Sequence, residues 1–132
     1  MLSNTSAAPV SKGALWTGRV LSALPVPLLL FSAYSKFAKP PEMSEGFTHL
    51  GWDMNLAFAL GVVELVCTVL YAIPQTAVLG AILLTGYMGG AIATHVRIGD
   101  PFYMQAALGV VLWLGLYLRD ARLRALIPLR SL

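Results

Sequence analysis

Apolar positions in this chain run in long stretches, separated by short polar and proline-containing segments. The first stretch extends from about Leu15 to Tyr34 and is interrupted only by Arg19 near its start. Pro25 and Pro27 lie inside it, and each removes an N–H from the helical ladder, so a kink is expected near its middle. From Leu65 to Thr94 no residue is charged and none is histidine. As one helix that run would be about 45 Å long, too long for a hydrocarbon core of roughly 30 Å. Pro74-Gln75-Thr76 divides it. The pattern therefore predicts spans at about 15–34, 55–73, 76–95 and 102–118, with a tight turn between the second and third. Phe102 and Tyr103 at one end of the fourth span and Tyr117 at the other suit two interfacial aromatic belts.

The segments outside the spans are of three kinds. Residues 1–13 are mostly small and polar and read as a flexible tail. Lys36 to Asp53 contains Pro40-Pro41, His49 and Trp52 and reads as the longest loop, with a short surface helix around Met43 to Leu50. Residues 119–132 form a basic tail carrying Arg119, Arg122, Arg124 and Arg130. With Lys12 and Arg19, these arginines outnumber Lys36, Lys39 and Arg97 on the other side. The positive-inside rule then puts both termini in the cytoplasm. Lys12 and Arg19 before an apolar run, followed by Ala33-Tyr34-Ser35, loosely resemble a cleaved signal peptide. Two prolines, an internal arginine and a length of about 20 residues fit a retained span better.

Composition narrows the class. Of 132 residues, 58% are hydrophobic but only 11% are charged, against about a quarter charged in soluble domains. Nine basic and six acidic side chains cannot cover the surface of a soluble ball of this size. An ordinary soluble enzyme, a disordered chain and a nucleic-acid binder are excluded, and the expected fold is an all-α antiparallel four-helix membrane bundle. A single cysteine, Cys67, excludes an internal disulfide and any multi-thiolate zinc site. The two histidines, His49 and His95, do not form a spaced ligand pair on one helix face, so no metal site is expected.

Glu64 is the most informative residue. It lies midway between Asn55 and Ile73, roughly 13 Å from either end of its span. A charge at such depth costs several kcal/mol, and residues of this kind face a protein interior or water. Its helical neighbours Leu60, Gly61, Cys67, Thr68 and Tyr71 form the smaller and more polar stripe, so Glu64 is expected to point into the bundle. Helical side chains lean toward their own amino terminus. Glu64 therefore leans outward, while Lys36 and His95 lean inward from the outer ends of their helices. Tyr87 lies at about the depth of Glu64. Glu64, Tyr87, Lys36 and His95 are thus candidates for one cavity opening outward, with Ser32 and Thr94 adding hydroxyls. Two readings stand side by side: a proton carrier or a binding group for a small polar or quinone-like ligand, and a protonated carboxyl that ties two helices together by a hydrogen bond. The corresponding structural roles are a snorkelling anchor for Lys36, a helix cap for His95 and packing for Tyr87. Gly86 and Gly90 have the spacing that lets a second helix approach closely, most simply one of the same bundle.

The stretch from Gly61 through Glu64 and Tyr71 to Pro74, and the stretch from Thr76 through Gly86-Tyr87-Met88-Gly89-Gly90 and Thr94-His95 to Pro101, closely resemble the DoxX-like family of small bacterial four-helix membrane proteins. Ser35-Lys36-Phe37 resembles that family's lysine at the end of the first helix, and Glu64 its acidic residue in the second. Leu118-Arg119-Asp120 and Arg122-Leu123-Arg124 resemble its closing segment. The resemblance runs from Trp16 onward and implies a bacterial inner-membrane protein. Some relatives are associated with quinone-linked sulfur oxidation or oxidative-stress complexes; the resemblance brings no catalytic residue with it. The expected role is an accessory membrane subunit contacting quinone or a redox partner, and not an enzyme on its own. The alternative is a non-catalytic assembly factor for another membrane protein, using Gly86, Gly90 and the basic tail as contact surfaces.

Overall fold

A computed structural model of the chain describes residues 9–130. All the regular structure among them is helical. The elements are α1 (Lys12–Ala23), α2 (Pro25–Ala38), α3 (Pro41–Leu50), α4 (Ala57–Ala72), α5 (Ala77–Arg97), α6 (Tyr103–Arg119) and α7 (Ala121–Leu126). Short 3-10 turns at Met54–Leu56 and Pro74–Thr76 precede α4 and α5. Three stretches are long and apolar enough to cross a membrane: Lys12–Ala38, Met54–Ala72 and Pro74–Arg97. Tyr103–Arg119 is a shorter apolar helix of 17 residues, at the lower end of the roughly 17–25 residues a span requires. Large apolar side chains such as Phe31, Phe58, Leu79 and Val110 cover the outside. A soluble monomer does not expose apolar surface on this scale. This is a membrane protein.

The first span is one rod with a break. Leu24 keeps helical angles and donates its N–H to Val20, after which Pro25 opens α2 without an N–H of its own. The break redirects the rod: α1 packs chiefly on α6, and α2 on α4. α4 then packs on α5, and α5 on α6. α2 and α5 are not among the helix pairs in substantial contact. Lys39 ends α2 in the left-handed conformation, and Pro40-Pro41 sends α3 across that end of the molecule. At the far end of α5, Gly99 takes φ of 76°, and His95 O accepts from both Ile98 N and Asp100 N. Such a left-handed glycine closes a helix at little steric cost.

Close backbone packing occurs at small residues. A Cβ on Gly18 would lie 2.7 Å from Gly115 O, and one on Gly115 would lie 2.5 Å from Ser22 Oγ. Gly18, Ser22 and Gly115 therefore seat α1 on α6. Gly80 lies against the backbone of Leu70 and Tyr71, which seats α5 on α4. Gly86 and Gly90, expected as the close-packing pair, have nothing within 4 Å of their Cβ positions. That expectation is corrected for packing within the chain: the helix that would fill the gap, α2, stands away from α5. Tyr71 donates its hydroxyl to Leu112 O at 2.7 Å, and Trp113 Nε1 donates to Thr85 Oγ1 at 2.6 Å. These bonds tie α6 to α4 and α5.

Two boundaries differ from expectation. Of the tail expected at 1–13, residues 1–8 lie outside the described residues, and α1 begins at Lys12, capped by Ser11 Oγ on Ala14 N at 3.2 Å. The basic segment expected at 119–132 is not a free tail where it is described. Asp120 caps α7, Leu123 is buried in the core, and Arg124 donates to Tyr117 O and Leu118 O at the end of α6. An arginine meets the unpaired carbonyls that every helix end leaves open.

Gly18→Leu and Gly115→Leu are expected to destabilise the protein by about 1–3 kcal/mol through overpacking. Gly86→Leu and Gly90→Leu, with empty Cβ positions, are expected to stay within about 0.5 kcal/mol of the wild type. Thermal loss of helical circular dichroism in mild detergent reads both.

Candidate functional site

The site grows from one close approach. A Cβ on Gly61 would sit 3.1 Å from Lys36 Cβ and 3.0 Å from Phe37 Cε1. The bare glycine thus lets the end of α2 lie on α4 one helical turn before Glu64. Phe37 and Phe58 hold that contact edge to face, with ring centroids 5.4 Å apart. Ser32 and Lys36 are four residues apart and share the face of α2 that looks at α4.

Their polar groups converge on one oxygen. Glu64 Oε1 accepts from Lys36 Nζ at 2.9 Å and from Ser32 Oγ at 3.1 Å. Lys36 Nζ also donates to Ser32 Oγ at 2.9 Å. The Tyr87 hydroxyl reaches the same Oε1 from α5 at a longer 3.4 Å. The side chain of Glu64 is 2% exposed and that of Lys36 12%. Lys36 is therefore not a snorkelling anchor; its ammonium turns inward to the carboxylate. No described residue donates to the second oxygen, Oε2.

This cluster forms part of the wall of a cavity of about 850 Å³ between α2 and α5. Ser32, Lys36, Glu64, Tyr87, Thr94 and His95 all line it. The gap between α2 and α5 is thus filled by the cavity and not by side chains. Gly86 and Gly90 also face it, which is why they carry no packing contact. His95 does not join the cluster: its Nδ1 donates to Ala91 O at 2.7 Å within α5. Thr94 likewise gives its hydroxyl to Gly90 O. α3 closes one end, with Met43, Gly46 and Leu50 on the wall. Outside the cavity, α3 is fastened by Arg97 to Leu50 O and by His49 Nε2 to Asp100 Oδ2, the latter at 2.6 Å.

Gln105 was not foreseen as a site residue. Its Oε1 is buried without a partner among the described residues, and it lines the cavity from α6. The signal was available, since Gln105 is the only amide side chain in the apolar run from Tyr103 to Arg119. Gly61 was noted as a neighbour of Glu64, but its function as the contact point with α2 depends on where α2 lies.

The family model for the DoxX-like family matches residues 20–117, nearly three-quarters of the chain. The chain belongs to the DoxX-like family. No curated protein and no solved structure matches it. In this DoxX-like protein the matched region contains α2 through α5, and therefore every residue of the Glu64 cluster.

Removing one partner of a buried ion pair leaves the other charge uncompensated, at about 3–5 kcal/mol. Glu64→Gln and Lys36→Met are each expected to destabilise the protein by an amount on that order. The double variant Lys36→Met with Glu64→Leu, which removes both charges, is expected to regain most of the loss. A double-mutant cycle on unfolding in detergent tests this; additive losses would mean the two side chains are not coupled.

Proposed function

We propose that the protein is an accessory subunit of the bacterial inner membrane that binds the head of a quinone. Its helices form an antiparallel four-helix bundle with both termini cytoplasmic and the Glu64 cavity open toward the outer face. The observation that supports this reading is the convergence of Ser32, Lys36 and Tyr87 on Glu64 at the wall of a cavity of about 850 Å³. Small-molecule sites usually measure about 300–1,000 Å³ and combine apolar walls with a few convergent polar groups. Lys36 and Tyr87 supply donors for a quinone carbonyl. Glu64 Oε2, free of protein donors among the described residues, supplies an acceptor for the hydroxyl of the reduced form. A carboxylate so placed takes up the proton that a quinol releases when a partner protein withdraws its electrons. In this reading the partner carries the redox centre and the present chain holds the head and its proton.

The assembly-factor reading would use Gly86 and Gly90 as an exposed contact surface. Both are exposed, but on the wall of the cavity where the polar groups around Glu64 converge, which favours quinone binding.

Protein purified from a bacterial membrane in mild detergent is expected to carry quinone near one per chain. Gly90→Leu, whose Cβ would have no atom within 4 Å and whose side chain extends into the cavity, is expected to remove it. Methylhydroquinone, a head without a tail, is expected to quench the fluorescence of Trp52 on the cavity wall in the wild type but not in Gly90→Leu. Absence of both co-purified quinone and saturable quenching in the wild type would reject the reading.

A further inference from the structure

A second cavity of about 670 Å³ lies between α5 and α6. Its wall is almost wholly apolar and includes Gly89, Ile92, Gly109, Val110, Trp113 and Tyr117. It follows α6 from Gln105 to Tyr117, roughly 18 Å at 1.5 Å per residue. Val110 and Leu114, on its wall, are 64% and 41% exposed, so it opens sideways at the surface that lipid covers. It adjoins the cavity that holds Glu64. Met88 and Gln105 line both this cavity and the one that holds Glu64.

The junction has chemistry of its own. Gln105 Oε1 is buried there with no donor among the described residues. A buried acceptor left unpaired costs on the order of 1–3 kcal/mol. Met88, the other side chain of the partition, is unbranched and adapts readily to a neighbour. On the α5 and α6 walls, Gly89 and Gly109 have nothing within 4 Å of their Cβ positions, so the trough is wide where the two helices face each other.

We infer that the lateral trough is a tail-binding subsite continuous with the Glu64 cavity, and that the ligand is a single-tailed amphiphile with a hydroxyl on its head. The head lies against Lys36 and Glu64, a turn of the Gln105 side chain brings its buried Oε1 to the head hydroxyl at the junction, and the tail passes Met88 and runs along α6. Polar groups on one side of the partition and an apolar trough on the other divide the ligand in this way. A small water-soluble ligand would leave the trough without a function. The inference rests on the proposed quinone-binding reading for the head and adds the recognition of the tail.

The test uses the full chain in lipid nanodiscs, with Trp16→Phe and Trp52→Phe so that Trp113 alone reports on the trough. The probe is a hydroquinone bearing a decyl tail brominated at its end, compared with methylhydroquinone. Competition between the two, read on a Trp52-only form, gives their relative affinities. The decyl probe is expected to bind at least tenfold more tightly and to quench Trp113 saturably. Gly109→Leu, whose Cβ would have no atom within 4 Å and whose side chain extends into the trough, is expected to abolish that quenching and the tenfold advantage while leaving methylhydroquinone binding unchanged. Gln105→Leu is expected to weaken both probes severalfold. Equal affinity of the two probes in the wild type, or an advantage that survives Gly109→Leu, would overturn the tail subsite while leaving the head site standing. Failure of both probes to bind the wild type would overturn the head reading and the inference with it.

Discussion

The ion pair between Lys36 and Glu64 is the interaction around which the rest is arranged. A carboxylate roughly midway through an apolar helix cannot be solvated by lipid, so its charge has to be met by protein. Lys36 meets it from α2, and Ser32 and Tyr87 complete the shell on the same oxygen. That arrangement needs α2 to lie against α4 at one level, which the missing side chain of Gly61 permits. A buried pair of this kind is weak evidence for stability by itself, because desolvation offsets much of the attraction. Its clearer effect is on register, since among the described residues neither charge has another charged partner.

The break at Leu24–Pro25 has consequences well away from itself. A straight rod from Lys12 to Ala38 would follow a single neighbour along its length. With the break, α1 stays on α6 through Gly18, Ser22 and Gly115, while α2 swings to α4. The divergence leaves α2 and α5 apart, and the space between them is the cavity. The two prolines thus open the space, and the ion pair sets which polar groups face it. α3, fastened by Arg97 and by His49 with Asp100, then covers one end. Small residues divide into two functions on this basis. Gly18, Gly80 and Gly115 bring backbones together, whereas Gly86, Gly89, Gly90 and Gly109 keep space open.

Which function a glycine has is not written in its spacing. Gly86 and Gly90 carry the four-residue interval expected of a helix contact, yet they line a cavity. Gly18 and Ser22 carry the same interval and make the contact. Both pairs satisfy the local requirement for a smooth helix face, and only the position of the opposing helix separates them. The same holds for Lys36. Near a helix end it can snorkel outward or fold inward, and the choice turns on a carboxylate that is 28 residues distant in sequence. The basic closing segment belongs here as well, since Arg124 and Leu123 acquire partners only when α7 turns back on α6.

What the sequence by itself determined follows from transfer energies and covalent geometry, which act residue by residue. Long apolar runs, scarce charge, Pro74 and Pro101 as stops, Pro25 and Pro27 as a break, and a costly Glu64 at depth are all of this kind. They made the membrane class, the helical content and the central candidate residue legible before any contact was known. The tertiary structure alone decided which helices touch, because ridges of apolar side chains in lipid fit many partners nearly equally well. It therefore decided that Glu64, Lys36, Ser32 and Tyr87 meet while His95 bonds within its own helix, and that Gln105 Oε1 is left without a partner among the described residues where two cavities adjoin.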